Sequence, residues 1–221
     1  RFGFVPQFGG TCGAVRASAL KAVGGWNTKV LTEDTDLTYR LFIAGYRVEY
    51  ILEATCYEES PEDWRVRFRQ VRRWAYGHND CLFRYFIPVL RARNHSIWAR
   101  LDAAIVLLFF FIPALSVFSL VFLIMSPALG VISAAPLVAI VSFFAYSAIG
   151  NFAPYFQIAS GSVFDGQTMA ARSMPLIFFS SFISMIASFS GVLQLLRDRV
   201  SGIAPHWDKT TRFRKGGFLP V

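Results

Sequence analysis

Residues 31–46 read LTEDTDLTYRLFIAGY, an acidic cluster followed by an apolar pattern. Three carboxylates lie within four positions of a chain whose formal net charge is +8, at Glu33, Asp34 and Asp36. Thr32 is a candidate N-cap, because a hydroxyl there can accept a hydrogen bond from the first helical turn. Apolar residues then recur at helical spacing until Gly45, a typical C-terminal signal. The stretch therefore predicts a helix that begins at a concentrated negative charge.

This acidic cluster has two interpretations, and the stretch alone leaves both open. Carboxylates in a first helical turn are stabilised by the positive end of the helix dipole, which requires no function. Alternatively, one of them is a general base, since removing the proton of a sugar hydroxyl needs a carboxylate held beside that hydroxyl. The residues around the cluster have to distinguish these interpretations.

The residues on either side of the cluster predict part of an α/β domain over 1–60. Residues 2–16, FGFVPQFGGTCGAVR, mix strand-forming residues with glycines, which indicates a backbone that approaches another group closely. Residues 17–25 predict a short helix closed by two glycines, and the alternation in residues 46–52, YRVEYIL, predicts a strand. About 60 residues are few for an independent domain of this kind, so we expect 1–60 to be the C-terminal part of a larger domain.

Residues 61–101 predict amphipathic interface helices. Ser60 and Pro61 are expected to open the first helix as N-cap and first-turn proline, with Asp63 completing a capping box. The helix combines basic and aromatic residues, namely Arg65, Arg67, Arg69, Arg72 and Arg73 with Trp64, Phe68 and Trp74. This pattern favours a helix at a membrane surface, and the alternative is a basic helix that faces solvent.

The chain is 54% hydrophobic and only 16% charged, which indicates an integral membrane protein. Residues 102–197 are expected to form transmembrane helices, because a helix needs about 20 apolar residues to cross a bilayer. Two apolar runs are clear, 103–125 and 128–149, and a third, 175–196, is richer in serine. Arginines before the first run predict that the catalytic part is cytosolic, at a bacterial inner or plasma membrane.

The basic tail, residues 198–221, raises a question of topology. We expect it to be cytosolic, but three crossings would place it outside the cell. Either a fourth crossing lies within 150–166 or one apolar segment is re-entrant, and the sequence does not decide between them. The tail contains HWDKT at 206–210, and its basic residues are also typical of an anchor to anionic lipid.

Residues 70–74 read QVRRW and complete a pattern that the acidic cluster begins. On a helix, Gln70, Arg73 and Trp74 share one face, where an amide, a guanidinium and an indole can bind a phosphate and stack on a sugar. T-E-D at 32–34, Q-x-x-R-W at 70–74 and apolar segments after them together resemble the membrane-bound family 2 glycosyltransferases. These include the processive synthases of cellulose, hyaluronan and chitin. Residues 8–26 also resemble the acceptor segment of that family.

The resemblance implies a GT-A (Rossmann-like) α/β fold and inverting transfer from a nucleotide-sugar, expected to be a UDP-sugar, to a growing β-linked polysaccharide. Asp34 would be the catalytic base. The substrate-binding residues would be Gly9, Gly10, Thr11, Glu33, Gln70, Arg72, Arg73 and Trp74. Among them, Gln70, Arg72 and Arg73 would contact or shape the pocket of the diphosphate, and Trp74 would stack beneath the terminal sugar. Lys209 and Thr210 resemble a W-x-K-T segment and would reach the nucleotide phosphates, unless they only anchor the tail.

The family uses a divalent metal, Mg²⁺ or Mn²⁺, and the resemblance places its D-x-D ligands and a uridine-binding aspartate before Arg1. We therefore expect no metal ligands within this chain, and no activity from this chain alone. Cellulose synthases often have a cysteine where this chain has Gly9, so the product need not be cellulose.

Two other functions stay open at this point. A non-processive relative would transfer a single sugar to a lipid acceptor, as ceramide glucosyltransferases do. A transporter or channel would carry ionisable residues within its spans, and the only full charges from 101 to 196 are Asp102, Asp165 and Arg172. The expected partners are the nucleotide-sugar donor, a glycan or lipid acceptor and the lipid bilayer, and no nucleic acid. His78, His95 and His206 lack ligand spacing and are expected to be surface or interfacial residues.

Overall fold

A computed structural model describes residues 7–51, 54, 56, 58–126, 128–130, 152–164, 166 and 174–205. Helices form the regular structure of this part of the chain, in the order α1 Ala17–Ala22, α2 Glu33–Ile43, α3 Trp64–Leu90, α4 Ile97–Leu107, α5 Phe111–Met125, α6 Phe152–Phe164 and α7 Met174–Ser201. The chain divides into two compact units, of which the first combines 1–113 with 187–221 and the second is 114–186. The candidate site lies within the first unit.

The predicted strand at 46–52 is wrong for its described residues, 46–51, which have neither strand nor helix. An alternating sequence becomes a strand only where its N–H and C=O groups pair with another strand. The described part of the chain contains no strand that could be this partner. The α/β character of residues 1–60 is therefore not seen in these residues, whereas their predicted helices are.

The two helices predicted in the first third of the chain are confirmed. The α1 helix ends before Gly24 and Gly25, both of which have positive φ. The α2 helix begins after Thr32 and ends before Gly45, whose φ of 88° allows the N–H of Tyr46 to reach the carbonyl oxygen of Leu41 at 3.0 Å. Thr32 occupies the N-cap position without a side-chain cap bond; its hydroxyl lies 3.7 Å from the Cys81 sulfur instead.

The start of α3 differs from the prediction. The helix begins at Trp64 rather than at Ser60 or Pro61, and Asp63 is its N-cap. The Asp63 carboxylate accepts hydrogen bonds from the N–H groups of Arg65 and Val66, at 2.6 and 3.2 Å. A carboxylate binds free N–H groups at a helix start and is also favoured by the helix dipole, so it displaces the serine and proline signals upstream.

The main hydrophobic core joins α2, α3 and α4. Its buried members are Tyr39, Phe42, Cys81, Leu82, Val89, Ala92, Ala103, Ala104 and Leu107. The Tyr39 hydroxyl donates a 3.0 Å hydrogen bond to the carbonyl oxygen of Ala103, which joins α2 directly to α4. Burying this face fixes the rotation of α2, and with it the direction in which the residues of its first turn point.

Two glycines of this unit allow helices to approach closely. A Cβ atom on Gly77 of α3 would lie 2.5 Å from Thr32 Cγ2 and 2.6 Å from its hydroxyl. A Cβ atom on Gly191 of α7 would lie 2.5 Å from the carbonyl oxygen of Arg72. Both distances are too short for real Cβ contacts. The N-terminus of α2 therefore packs on α3 at a position where α3 has a glycine, and α7 packs on α3 at a position where α7 has a glycine.

The structure describes different proportions of the three predicted membrane segments. The first, 103–125, is divided between α4 and α5 by a turn at 108–110. The second, 128–149, lies outside the described residues after 130, and the third, 175–196, lies within α7. By length and composition, the described helix that could cross a bilayer is 179–201, with 23 residues, and the α4–α5 pair would qualify only if counted together. The α6 helix has 13 residues and the residues that flank it are outside the described part of the chain, so the fourth crossing within 150–166 stays a prediction.

The contact of Gly77 with Thr32 gives a stability prediction. Gly77→Ala should lower the thermal midpoint of the detergent-solubilised protein, because overpacking costs about 1–3 kcal/mol and exceeds the helix-propensity gain of about 1 kcal/mol. Gly161→Ala is the matched control, since in the part of the chain that the structure describes no atom lies within 4 Å of a Cβ added to that helical glycine. Equal thermal midpoints for the two variants would contradict the close contact.

Candidate active site

Asp34 lies in the first turn of α2, with its two carboxylate oxygens in different surroundings. Oδ1 accepts hydrogen bonds from the N–H of Thr35 at 2.7 Å and from its hydroxyl at 3.4 Å. Oδ2 faces the loop before α1, where a Cβ atom on Gly10 would lie only 2.9 Å away. Gly10 has a φ of 82°, a conformation that side chains disfavour. The predicted close backbone approach is therefore confirmed at Gly10, and it is made to the carboxylate of Asp34.

The surroundings of Asp34 raise its pKa above the usual value for an aspartate. Burial is the main cause, because it disfavours the charged form, and the neighbouring charge of Glu33 acts in the same direction. The hydrogen bonds from Thr35 oppose the rise without cancelling it. A carboxylate with a raised pKa is a stronger proton acceptor than one in water, which suits a general base.

Asp36 has a structural role that distinguishes it from Asp34. Its side chain is fully buried and forms an ion pair of 2.7 Å with Arg40. It also accepts hydrogen bonds from the Tyr85 hydroxyl at 2.6 Å and from the Asn27 amide at 3.2 Å. Arg40 in turn donates to the carbonyl oxygens that follow α1, those of Val23 and Gly25. Asp36 therefore links α2 to α3 and to the end of α1, and has no oxygen left for a substrate.

Glu33 is half-buried and lines a pocket of about 410 Å³ together with Trp26, Asn27, Thr28 and Val30. Asp34 is not among the lining residues of this pocket. The three carboxylates of the cluster thus have separate positions, with Asp34 towards Gly10, Glu33 at this pocket and Asp36 in the interior.

The predicted face of Gln70, Arg73 and Trp74 is organised by a residue that the motif does not contain. The Arg67 guanidinium donates a 2.9 Å hydrogen bond to the Gln70 side-chain oxygen and lies 5.3 Å from the centre of the Trp74 ring. Arg73 instead donates to the carbonyl oxygen of Leu31, just before α2, over 3.4 Å. Arg67 is one turn before Gln70 and two turns before Trp74, so helical spacing could have identified it.

The remaining predicted site residues lie apart from the face of Gln70 and Trp74, or they are outside the part of the chain that the structure describes. The Thr11 hydroxyl donates to the carboxylate of Glu58, and no atom of the described residues lies within 4 Å of a Cβ built on Gly9. The carbonyl of Arg72 faces Gly191 of α7. Lys209 and Thr210, with His206, lie outside the described residues, so their proposed nucleotide contact stays a prediction.

His78 was expected to be a surface or interfacial residue, but its side chain is largely covered by other parts of the chain. It lies beside the first turn of α2, with Nε2 at 3.2 Å from the Thr35 hydroxyl and its ring centre 4.5 Å from that of Phe110. Burial lowers the pKa of His78 to about 4, so the ring is neutral at physiological pH. His95 is half-buried and its ring stacks on Phe42, with 3.9 Å between the ring centres, which is compatible with the expected surface or interfacial position.

The described residues do not form a metal site. No group of three or more histidine, cysteine, aspartate or glutamate side chains in this part of the chain is placed to hold a metal ion.

Comparison with known proteins places these residues among glycosyltransferases. The family described as "Glycosyl transferase family group 2" matches residues 1–149 of the chain. "Probable glycosyltransferase YdaM" of Bacillus subtilis (strain 168) is 35% identical over 88 residues, which are 40% of this chain and 21% of that protein. "Probable glucomannan 4-beta-mannosyltransferase 1" of Arabidopsis thaliana is 30% identical over 115 residues, 52% of this chain and 20% of that protein.

A third relative is the "Poly-beta-1,6-N-acetyl-D-glucosamine synthase" of Staphylococcus epidermidis (strain ATCC 35984 / DSM 28319 / BCRC 17069 / CCUG 31568 / BM 3577 / RP62A). It is 31% identical over 96 residues, 43% of this chain and 23% of that protein. The chain therefore spans only about a fifth of the length of the curated relatives it matches. No solved structure matches the chain.

The different surroundings of Asp36 and Asp34 predict opposite effects on stability. Asp36→Asn should destabilise the protein by about 3–5 kcal/mol, because it leaves the buried charge of Arg40 uncompensated. The raised pKa of Asp34 means that the folded protein binds this proton more tightly than the unfolded chain, so ionising Asp34 costs stability as the pH rises. Asp34→Asn removes that cost and should not lower the stability at neutral pH. Thermal unfolding of both variants at pH 7 checks this, and a larger loss in Asp34→Asn would contradict it.

Proposed function

Because the chain belongs to glycosyl transferase family group 2, we propose that it provides the acceptor side of a site that transfers a sugar from a nucleotide-sugar, with a UDP-sugar the first candidate, to a growing β-linked polysaccharide at a membrane. The transfer inverts the configuration at the anomeric carbon. The catalytic part faces the cytosol, and the acceptor glycan leaves through or along the bilayer.

The observation that carries this proposal is the state of the Asp34 carboxylate. Its pKa is raised by burial, one oxygen is held by Thr35, and the other faces the Gly10 backbone. A dipole-stabilising carboxylate needs neither burial nor a free oxygen at a glycine loop. A general base needs both, because its basic oxygen must meet a substrate hydroxyl in a partly dry site.

In the proposed reaction, Oδ2 of Asp34 accepts the proton of the acceptor hydroxyl while the hydroxyl oxygen bonds to the anomeric carbon of the donor. The bond from that carbon to the nucleotide diphosphate breaks on the opposite face, and the diphosphate leaves with the electron pair. The arginines of α3 counter the negative charge of the leaving group, since charge-assisted contacts to phosphate are about twice as strong as neutral ones. Trp74 offers an aromatic face for the terminal sugar of the acceptor.

Mg²⁺ or Mn²⁺ would stabilise the charge of the leaving diphosphate in this family. The described residues do not fit such an ion, so we propose that its ligands come from outside them. None of the roles proposed here requires a metal ligand from the residue concerned, and this holds for Asp34, Arg67, Gln70, Arg73 and Trp74.

The relatives support a β-linked product without selecting the sugar. The printed names specify a β-1,4-mannosyl transfer for one relative and a β-1,6-linked N-acetylglucosamine polymer for another. All three relatives named above are glycosyltransferases or glycan synthases, which disfavours the transporter interpretation. A lipid acceptor stays the alternative outcome, and it would give a product with one sugar per lipid rather than a polymer.

The first functional prediction concerns Asp34. In the intact protein that carries this sequence, Asp34→Asn should reduce sugar transfer by roughly 10²- to 10⁴-fold, because the positioned base is lost. Binding of the nucleotide-sugar should be unchanged. Membranes would be assayed with radiolabelled UDP and GDP derivatives of glucose, mannose and N-acetylglucosamine. Asp63→Asn, at the exposed N-cap of α3, is the matched control, and near-normal polymer yield from Asp34→Asn would exclude Asp34 as the base.

The second functional prediction concerns the Arg67–Trp74 pair. Trp74→Ala should weaken acceptor engagement, since aromatic stacking is worth about 0.5–1.5 kcal/mol beyond its buried area. Arg67→Ala should act in the same direction, because it removes the cation that orders Gln70 and Trp74. Arg69→Ala, an exposed arginine on the same helix, should have little effect. Elongation should fall more than hydrolysis of the donor by water, and an equal fall of both rates would make Trp74 a structural residue.

A further inference from the structure

The buried hydroxyl of Thr35 lies between three polar groups. The Gln7 side-chain nitrogen is 2.8 Å from it, His78 Nε2 is 3.2 Å away and Asp34 Oδ1 is 3.4 Å away. The Gln7 nitrogen also lies 3.5 Å from His78 Nε2, at the limit of a hydrogen bond, so the two nitrogens approach the Thr35 oxygen side by side. Thr35 itself has no exposed surface. A hydroxyl has one hydrogen to donate and two lone pairs to accept with, so this arrangement can be satisfied in only a few ways.

The tautomer of His78 follows from the partners of its two ring nitrogens. Within the described part of the chain, the buried Nδ1 has no hydrogen-bond partner. Either tautomer leaves Nδ1 unpaired, as an N–H without an acceptor or as a lone pair without a donor, and orphaned buried N–H groups are the rarer of the two in proteins. A hydrogen on Nε2 has the Thr35 oxygen as its acceptor. These contacts favour the neutral tautomer that carries its hydrogen on Nε2 and donates it to Thr35.

This tautomer fixes the direction of the remaining hydrogen bond. Gln7 is a donor through its amide nitrogen and His78 is a donor through Nε2, so together they occupy both lone pairs of the Thr35 oxygen. The hydroxyl hydrogen must then point to Asp34 Oδ1. That oxygen already accepts the N–H of Thr35, so Oδ1 receives two hydrogen bonds and Oδ2 receives none from the described residues.

We propose that Thr35 and His78 are positioning residues that hold Oδ1 of Asp34 and so select Oδ2 as the oxygen that takes the proton of the acceptor hydroxyl. This inference rests on the proposed role of Asp34 as the base. Neither residue belongs to the T-E-D or Q-x-x-R-W pattern, and neither touches the reacting atoms. Their role is to prevent rotation of the carboxylate, which would otherwise present either oxygen to the acceptor.

The position of His78 is itself fixed by two contacts. The ring of Phe110, from the turn between α4 and α5, lies against it, and Gly77, the preceding residue, fits against Thr32 at the start of α2. His78 therefore cannot leave Thr35 without disturbing the docking of α3 on α2. The charged group acting on Asp34 is Glu33 on the same helix, whereas His78, on the facing helix, is neutral.

The test compares an isosteric and a conservative variant of Thr35 in the intact protein. Thr35→Val removes the hydroxyl and keeps the shape, so kcat should fall about 10- to 100-fold with little change in the KM of the donor. The acidic limb of the kcat/KM profile should move to higher pH, because a carboxylate that loses a hydrogen-bond donor binds its proton more tightly. Thr35→Ser retains the hydroxyl and should restore most of the lost rate and the original pH profile.

A second pair at His78 keeps the test decisive if Thr35→Val does not fold. His78→Phe keeps a ring against Phe110 without a donor, and His78→Gln supplies an amide N–H near the position of Nε2. The His78→Phe variant should show the same fall in kcat and the same shift in the pH profile, and His78→Gln should reverse part of both. Thermal midpoints measured alongside would identify a purely structural effect, which would lower all rates equally without moving the pH profile.

The outcomes separate this inference from the proposed function. If Asp34→Asn abolishes transfer while Thr35→Val and His78→Phe match the unmodified protein in kcat and pH profile, the positioning role is wrong and the base assignment stands. If Asp34→Asn transfers sugar normally, the proposed function itself fails. Loss of transfer in Asp34→Asn, together with a shifted pH profile in Thr35→Val or His78→Phe that the conservative variants reverse, supports both.

Discussion

The close contact between Gly77 of α3 and Thr32 at the start of α2 is the constraint on which the site depends. It brings the first turn of one helix against the side of the other at less than the usual side-chain separation. Asp34 and Thr35 follow Thr32 directly, and His78 follows Gly77, so one contact sets the distance between the proposed base and its supporting histidine. The same crossing leaves Arg73 within reach of the Leu31 carbonyl, immediately before α2.

The acidic cluster combines two physical roles in a single helical turn. Asp36 faces the interior, where its charge is compensated by Arg40 and hydrogen-bonded by Tyr85 and Asn27. This buried network holds α2 in place, which a general base requires, because a base that moves loses its alignment with the substrate hydroxyl. Asp34 is left partly buried with a raised pKa, a state that costs folding stability and suits proton transfer. The rigid carboxylate of Asp36 therefore supports Asp34, the proposed base.

The turn at 108–110 connects the apolar part of the chain to this arrangement. It interrupts what would otherwise be one long apolar helix, and it places the Phe110 ring on His78. In one straight helix, residues 108–110 would continue along the axis of α4. The contact between Phe110 and His78 is instead made from the turn, so it depends on the interruption. Pro113, three residues later, lacks an N–H and cannot make the helical hydrogen bond to the turn, which favours the break there.

The sequence by itself determined the α2 helix and its ends, the close approach of a glycine backbone, the resemblance to family 2 glycosyltransferases, and the choice of Asp34 as the candidate base. These features depend on local signals, namely spacing, capping residues and short motifs, which do not require contacts with distant parts of the chain. The sequence did not determine the start of α3, because Asp63 binds the free N–H groups there better than the serine and proline upstream. It also predicted a strand at 46–52, since alternation does not show whether a partner strand is present.

Only the tertiary structure decided which carboxylate is buried in an ion pair and that His78 lies against Thr35. His78 is 43 residues from Thr35 in the chain, and no local pattern marks such a pair. The sequence predicted a surface or interfacial position for His78, because its spacing indicates no ligand role. The burial of His78 and its neutral state arise from the packing of α3 on α2 at Gly77. The physical reason is that the environment of a side chain, unlike its helical propensity, is set by residues distant in the sequence.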